Sequence, residues 1–158
     1  MEGIECVRVT GKKLESGVAH AWNKVKLGGR WYIIDVTSGG TLTGDEEVLS
    51  YVYFMMTDKA YETICSADAG PAAGIKCDAE YDIYEQRGLL AETPEEAAAL
   101  IKNYIENAPG GRSSFELKLG YQISSDSKAV SEILRHMKSS VNISYISSGS
   151  VFCFIYDK

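Results

Sequence analysis

Several features that identify common classes of protein are absent from this sequence. Basic residues do not predominate: 16 Lys and Arg stand against 22 Asp and Glu, giving a net charge of −6. Because no basic stripe is present, nucleic acid is not an expected partner. No apolar run approaches the roughly 18–20 residues of a membrane-spanning helix, so no membrane span is predicted. The N-terminus also lacks the pattern of a signal peptide, and the sequence indicates no particular compartment.

Metal-binding side chains are scarce as well. The chain has only two histidines, His20 and His136. Its four cysteines are scattered, without a Cys-x-x-Cys pair: Cys6, Cys65, Cys77 and Cys153. This spacing does not predict a zinc site, and no cofactor motif accompanies it. A Cys65–Cys77 disulfide would fit an exported protein, whereas free thiols would fit a cytoplasmic one.

A hairpin pattern dominates what the sequence does contain. Residues 18–27 and 30–37 are two runs rich in β-branched and aromatic residues, and they flank the pair Gly28-Gly29. Glycine adopts the positive φ angles that a two-residue hairpin turn needs. If the two glycines form that turn, the residue numbers of each pair that faces across the two strands add up to 57.

The predicted register brings a histidine and a carboxylate together. Trp22 faces Asp35 and His20 faces Thr37, so His20, Trp22 and Asp35 share one face, with Asp35 diagonal to His20. A carboxylate beside an imidazole fixes its tautomer and stabilises the imidazolium, as in two members of a nucleophile–base–orienter triad. A three-residue loop would instead move Asp35 to the other face. An ordinary polar pair on a half-exposed sheet is the alternative interpretation. The opposite face is predicted to be the core side: Ala21, Val25, Leu27, Tyr32, Ile34 and Val36.

Three short motifs lie within this hairpin: His20-Ala21-Trp22-Asn23, Gly29-Arg30-Trp31-Tyr32 and Asp35-Val36-Thr37. Together they resemble the signature of the transglutaminase-like superfamily, whose core is similar to that of papain-type cysteine proteases. Residues 3–11, 53–58 and 81–89 are similar to segments that flank this core in bacterial members. The resemblance covers about the first 90 residues.

The resemblance implies a role for each of four residues. His20 takes the general-base position and Asp35 the orienting position, while Trp22 and Trp31 would line the substrate groove. Members of the family use a cysteine nucleophile for acyl transfer or hydrolysis at glutamine-like amides or peptide bonds. A protein or peptide is therefore the implied substrate.

The nucleophile has no counterpart in this chain. In the family it begins a helix before the first strand, a segment that would lie upstream of Met1. Cys6 matches a position inside that strand, away from the helix N-terminus that stabilises a thiolate. We therefore expect the chain alone to be inactive, as the His/Asp half of such an enzyme. The alternatives are a non-catalytic peptide- or protein-binding module of the same fold and a purely structural module.

An expectation about partners follows from the missing helices. They would leave the hairpin face that carries His20 and Trp22 bare, so we expect a homodimer or a partner that covers this apolar surface.

Beyond residue 90 the pattern changes to a second unit. Thr93-Pro94 is a helix start, and Ala97, Ala98 and Ile101 continue it at helical spacing. A strand, a second helix from Asp126 and a final hairpin follow. We predict an α+β fold, with a truncated transglutaminase-like core at residues 1–90 and a small helix-strand-helix-strand-strand unit at residues 91–158.

Overall fold

The fold is α+β, as the sequence predicts. The computed structural model describes residues 3–43, 46–108, 110–137 and 142–157. The chain divides into two compact units, with the boundary between Ile83 and Tyr84. This boundary lies before the expected one at residue 90, because Tyr84 donates a hydrogen bond to Glu116 (2.6 Å) and Leu90 pairs with Lys118, both within the second unit.

The first unit contains a five-stranded antiparallel sheet, a two-stranded ribbon and short helices. The order across the large sheet is β6-β3-β2-β1-β7, and β4 pairs with β5 in the ribbon. The bounds of the strands are β1 Glu5–Lys13, β2 Ala19–Leu27, β3 Arg30–Ile34, β4 Gly40–Thr43, β5 Glu46–Leu49, β6 Phe54–Met56 and β7 Cys65–Ala67. The bounds of the helices are α1 Val36–Gly39 and α2 Asp58–Tyr61. A third short helix, α3 Ile83–Gln86, begins at the last residue of this unit.

The hairpin of β2 and β3 has the predicted turn and register. Gly28 and Gly29 have φ angles of 57° and 79°, as a two-residue turn with a left-handed conformation at both positions requires. The paired residues run from Leu27↔Arg30 to Asn23↔Ile34, so their numbers sum to 57. The strand does not continue to Thr37, however, because α1 begins at Val36. The predicted pairing of His20 with Thr37 is therefore wrong.

The prediction of which face of the hairpin packs in the core is also wrong. Trp22, Lys24 and Ile33 are buried, on the face that carries His20, whereas Val36 is 70% exposed. Segments that follow the hairpin cover this face: Tyr61, Cys65 and Cys77 pack against Val9, Trp22 and Ile33 in one hydrophobic cluster. The large apolar surface expected to need a second subunit is thus covered within the first unit itself. On the other face, Tyr32 is buried, but Ala21, Val25, Leu27 and Ile34 are only partly so.

The second unit is a four-stranded sheet with two helices. Its strand order is β10-β11-β9-β8, with β8 parallel to β9 and the other pairs antiparallel. The bounds are β8 Leu90–Ala91, α4 Pro94–Asn107, β9 Arg112–Leu119, α5 Asp126–Met137, β10 Ile143–Ser148 and β11 Val151–Asp157. The helix start predicted at Thr93 is confirmed, since the Thr93 hydroxyl accepts a hydrogen bond from the Glu96 backbone N–H (3.1 Å). The helices and the strands enclose a core that includes Ile101, Leu117, Ile133 and Phe152.

Candidate functional site

The structure brings His20 and Asp35 together. Nε2 of His20 lies 2.7 Å from Oδ2 of Asp35, and the two side chains are 8% and 0% exposed. His20 projects from the start of β2, and Asp35 directly follows the end of β3. The diagonal placement thus arises from the two-residue turn, and it uses Nε2 for the carboxylate contact. Among the described residues, Nδ1 makes no hydrogen bond to another residue.

Asp35 is held by donors from three directions. Besides His20, the hydroxyl of Tyr61 donates to Oδ2 (2.7 Å), and the backbone N–H of Ser38 donates to Oδ1 (3.0 Å). The Ser38 contact is a local cap that starts α1 immediately after the strand, which explains why the strand ends at Ile34. Both oxygens of the carboxylate are therefore fixed in position before any substrate binds.

These contacts determine the charge of the carboxylate. Burial by itself would raise the pKa of Asp35, but the hydrogen bonds from Ser38, His20 and Tyr61 outweigh burial and hold the pKa below its ordinary value. Burial, together with hydrogen bonds to Cys65 and Asp35, raises the pKa of Tyr61, so its hydroxyl remains a proton donor. The site therefore contains an ionised carboxylate that accepts from an imidazole and a phenol.

The two tryptophans predicted to line a groove occupy different positions. Trp22 stacks beside His20, with ring centroids 6.3 Å apart, and packs against Tyr61 at 4.9 Å. It is only 4% exposed, so it forms the wall behind the imidazole. Trp31 pairs with Lys26, which lies six residues along β2 from His20, or about 20 Å at roughly 3.3 Å per residue. Trp31 is therefore not part of the same constellation.

No cysteine joins the pair within the described part of the chain. Cys6 is exposed and accepts a hydrogen bond from Asn23 (3.5 Å). Its partner across the strands is Val25, five residues along β2 from His20. Cys65 and Cys77 are buried free thiols in the core of the first unit, and burial raises the pKa of Cys77 to about 11. The structure therefore supplies an imidazole and its carboxylate without a thiol in hydrogen-bonding contact with His20.

Sequence reasoning missed a buried ion pair that supports the site. The ammonium group of Lys24, two residues after Trp22, donates to Oδ1 of Asp58 (2.9 Å) and to the carbonyl oxygens of Ala73 (3.2 Å) and Ile75. Oδ2 of Asp58 accepts from the backbone N–H of Cys77 (2.7 Å). This pair ties the long loop after β7 to the N-terminus of α2, the helix that carries Tyr61. The only signal for it in the sequence is Thr57 followed by an acidic residue, typical of a helix start.

Gly11 provides the space in which Trp22 packs, and it lies opposite His20 in the sheet. A Cβ at Gly11 would stand 2.1 Å from the backbone oxygen of Ser66 and 2.9 Å from Cη2 of Trp22. We expect Gly11→Ala to lower the free energy of unfolding of the first unit by about 1–3 kcal/mol, because the oxygen belongs to the paired strand β7. Urea denaturation followed by tryptophan fluorescence measures the loss.

The control for this substitution is Gly3→Ala. A Cβ at Gly3 would meet no atom within 4 Å. Equal stabilities of the two variants would contradict the steric role assigned to Gly11.

Comparisons with known proteins do not assign this chain to a family. No family model matches it, and no curated protein matches it significantly. Within the described residues there is no helix long and apolar enough to cross a membrane, and no cluster of three or more His, Cys, Asp or Glu side chains suited to a metal ion.

Proposed function

We propose that the first unit is the base-and-orienter half of a transglutaminase-like site for cysteine-dependent acyl transfer or hydrolysis. The observation that carries this proposal is the buried 2.7 Å contact between Nε2 of His20 and Oδ2 of Asp35. Asp35 holds one ring nitrogen, so the other nitrogen is the one that can take a proton from a nucleophile. Glutamine-like amides or peptide bonds are the proposed substrates.

The nucleophile in this proposal is a thiol from outside the described residues. In the reaction, the thiol proton passes to Nδ1 of His20 while the sulfur attacks the acyl carbon. The protonated imidazole then gives its proton to the leaving group as the bond between the acyl carbon and that group breaks. Asp35 stabilises the imidazolium between the two steps. Because no cysteine contacts His20 here, the chain alone is expected to lack this activity.

An added thiol tests the base directly. We expect the protein to accelerate acyl transfer from p-nitrophenyl acetate to 2-mercaptoethanol, releasing p-nitrophenolate, and we expect His20→Gln to remove the acceleration. A positioned general base typically accelerates a reaction by about 10²–10⁴-fold. Because the external thiol is not held in position, we expect the protein to accelerate this reaction by only about tenfold. The release of p-nitrophenolate is followed by absorbance at several thiol concentrations.

The chain offers a matched control, because it contains only one other histidine. His136 lies in the second unit and pairs with Glu95 (3.2 Å) at an exposed position. We expect His136→Gln to match the unsubstituted protein. Equal rates for His20→Gln and His136→Gln would contradict the proposed role of His20.

A binding module is the second candidate function, and one observation favours it. Val18 and Val36, which lie two residues before His20 and directly after Asp35, are 60% and 70% exposed. Exposed valines on both sides of the pair are suited to contact with an apolar polypeptide segment. A protein without His20-dependent acyl transfer would support this function over catalysis.

A further inference from the structure

The outer edge of β1 is unpaired over most of its length. On that side β7 pairs only with Gly11–Lys13, whereas on the other side β2 pairs with Glu5–Lys12. Residues 5–9 therefore have no strand beside them within the described part of the chain, and all of them except Val7 and Val9 are exposed. The register with β2 is regular and the strand contains no proline, so neither a bulge nor a proline protects this edge from pairing. We call residues 5–9 the open edge.

The unpaired backbone groups of the open edge belong to Cys6 and Arg8. In a strand, the N–H and C=O of one residue point to the same side, and the side alternates from residue to residue. The carbonyl oxygen of Thr10 accepts from the backbone N–H of Asp68 (2.8 Å), the residue that follows β7. Cys6 and Arg8 therefore also point outward, and Val7 points towards β2. The outward groups of Cys6 and Arg8 bond to no other described residue, so they are available to an added strand.

The side chains of the open edge indicate the chemistry of the partner. The side chain of Arg8 is exposed and forms no salt bridge within the described residues, whereas Glu5 already pairs with Lys26 (3.1 Å). An acidic residue opposite Arg8 would therefore meet an uncompensated cation. Cys6 lies two residues away on the same face and behaves as a small apolar side chain, so an apolar residue suits the position opposite it.

A second copy of this chain does not supply the acidic residue. In a symmetric antiparallel pair of β1 strands, facing residues lie on the same side of the sheet, so Arg8 can face only residues of even number. Registers centred on Cys6, Val7 and Arg8 place Ile4, Cys6 and Arg8 of the second copy opposite Arg8. None of these is acidic, and the last register brings two like charges together. The charge of the open edge therefore favours a different polypeptide.

We propose that the open edge binds an extended segment of another protein, which adds a strand antiparallel to β1 and places an acidic residue opposite Arg8. The antiparallel direction continues that of β7 and β2 beside β1. Backbone hydrogen bonds with Cys6 and Arg8 hold the segment, and the acidic residue selects its register. This binding does not depend on the acyl-transfer proposal for His20.

A short peptide tests the proposal. The probe is acetyl-Thr-Glu-Thr-Val-Lys-Val-amide, whose glutamate is placed to face Arg8 when its first valine faces Cys6. We expect the peptide to slow hydrogen exchange of the Cys6 and Arg8 amides saturably in ¹⁵N–¹H spectra. The amide of Val7 is the internal reference, because it is bonded to β2 with or without peptide. A peptide with glutamine in place of glutamate should bind about two- to fivefold more weakly, as the loss of an exposed ion pair predicts.

A charge reversal and a matched control complete the test. Arg8→Glu should reverse the preference, so that a peptide with lysine in place of glutamate binds better than the original. Lys12→Glu should leave binding unchanged, because Lys12 is an exposed base on the same face whose outer side is already paired with Ser66 of β7.

Three results would overturn the proposal: unchanged exchange at Cys6 and Arg8, equal binding of the glutamate and glutamine peptides, or no reversal in Arg8→Glu. Slower exchange of the same two amides at higher protein concentration without peptide would assign the open edge to a second copy and would overturn the proposed partner.

Discussion

Lys24→Met is expected to lower the free energy of unfolding of the first unit by about 3–5 kcal/mol. Methionine keeps the length of the side chain but removes the ammonium group, so Asp58 loses its buried countercharge and two loop carbonyls lose their donor. The two tryptophans, Trp22 and Trp31, both lie in this unit, so their fluorescence during urea denaturation reports on its stability.

The control lies on the same strand. Lys26 pairs with Glu5 at 3.1 Å, but these side chains are 38% and 61% exposed. An exposed pair contributes about 0–1 kcal/mol, so Lys26→Met should change stability little. In addition, the double variant Lys24→Met with Asp58→Asn should recover part of the loss, because no unpaired charge then remains buried. Similar losses for Lys24→Met and Lys26→Met would contradict the assigned role of the buried pair.

Asp35→Asn is expected to cost about 3 kcal/mol at neutral pH, because the amide cannot accept from all three donors that contact the carboxylate. The loss should depend on pH in a defined direction. Since the pKa of Asp35 is lower in the folded protein than in the unfolded chain, its stabilising contribution is complete above the unfolded value of about 3.9. It disappears as the pH falls through the lower pKa of the folded state.

The measurement is urea denaturation of both proteins from pH 7 to the most acidic pH at which they remain folded. The stability difference should be constant down to about pH 4–5 and should shrink below that range. Asp68→Asn is the control, because Asp68 accepts a hydrogen bond from Thr10 (2.9 Å) at an exposed position and should contribute little. A difference between wild type and Asp35→Asn that grows towards acid pH would contradict the assignment of an ionised, stabilised carboxylate.

The alternation of residues around Gly28 and Gly29 was sufficient to predict the register and the meeting of His20 with Asp35. It was not sufficient to predict which face of the hairpin is buried, because both faces carry apolar residues. That choice depends on residues such as Tyr61 and Cys77, which are distant in sequence and cover the face of Trp22.

Two further features of the site were not predicted from the sequence. The run Asp35-Val36-Thr37 continues a strand pattern, yet the Asp35 carboxylate caps the backbone of Ser38 and starts a helical turn instead. Asp is one of the residues preferred at a helix N-cap, so Asp35 itself was a weak signal for this turn in the sequence. Lys24 gave no comparable signal, because a lysine in an alternating strand is ordinarily solvent-exposed and its burial requires the partner Asp58.

The hairpin turn has a consequence for the order in which the parts of the site assemble. His20 and Asp35 are 15 residues apart in the chain, whereas the contact of Tyr61 with Asp35 spans 26 residues and that of Lys24 with Ala73 spans 49. Contacts between residues near in sequence close with a smaller loss of chain entropy and therefore form sooner. The histidine and the aspartate can meet within a hairpin that closes in microseconds, before the phenol and the lysine arrive to fix them. We therefore expect the contact between His20 and Asp35 to form before the scaffold that holds it rigid.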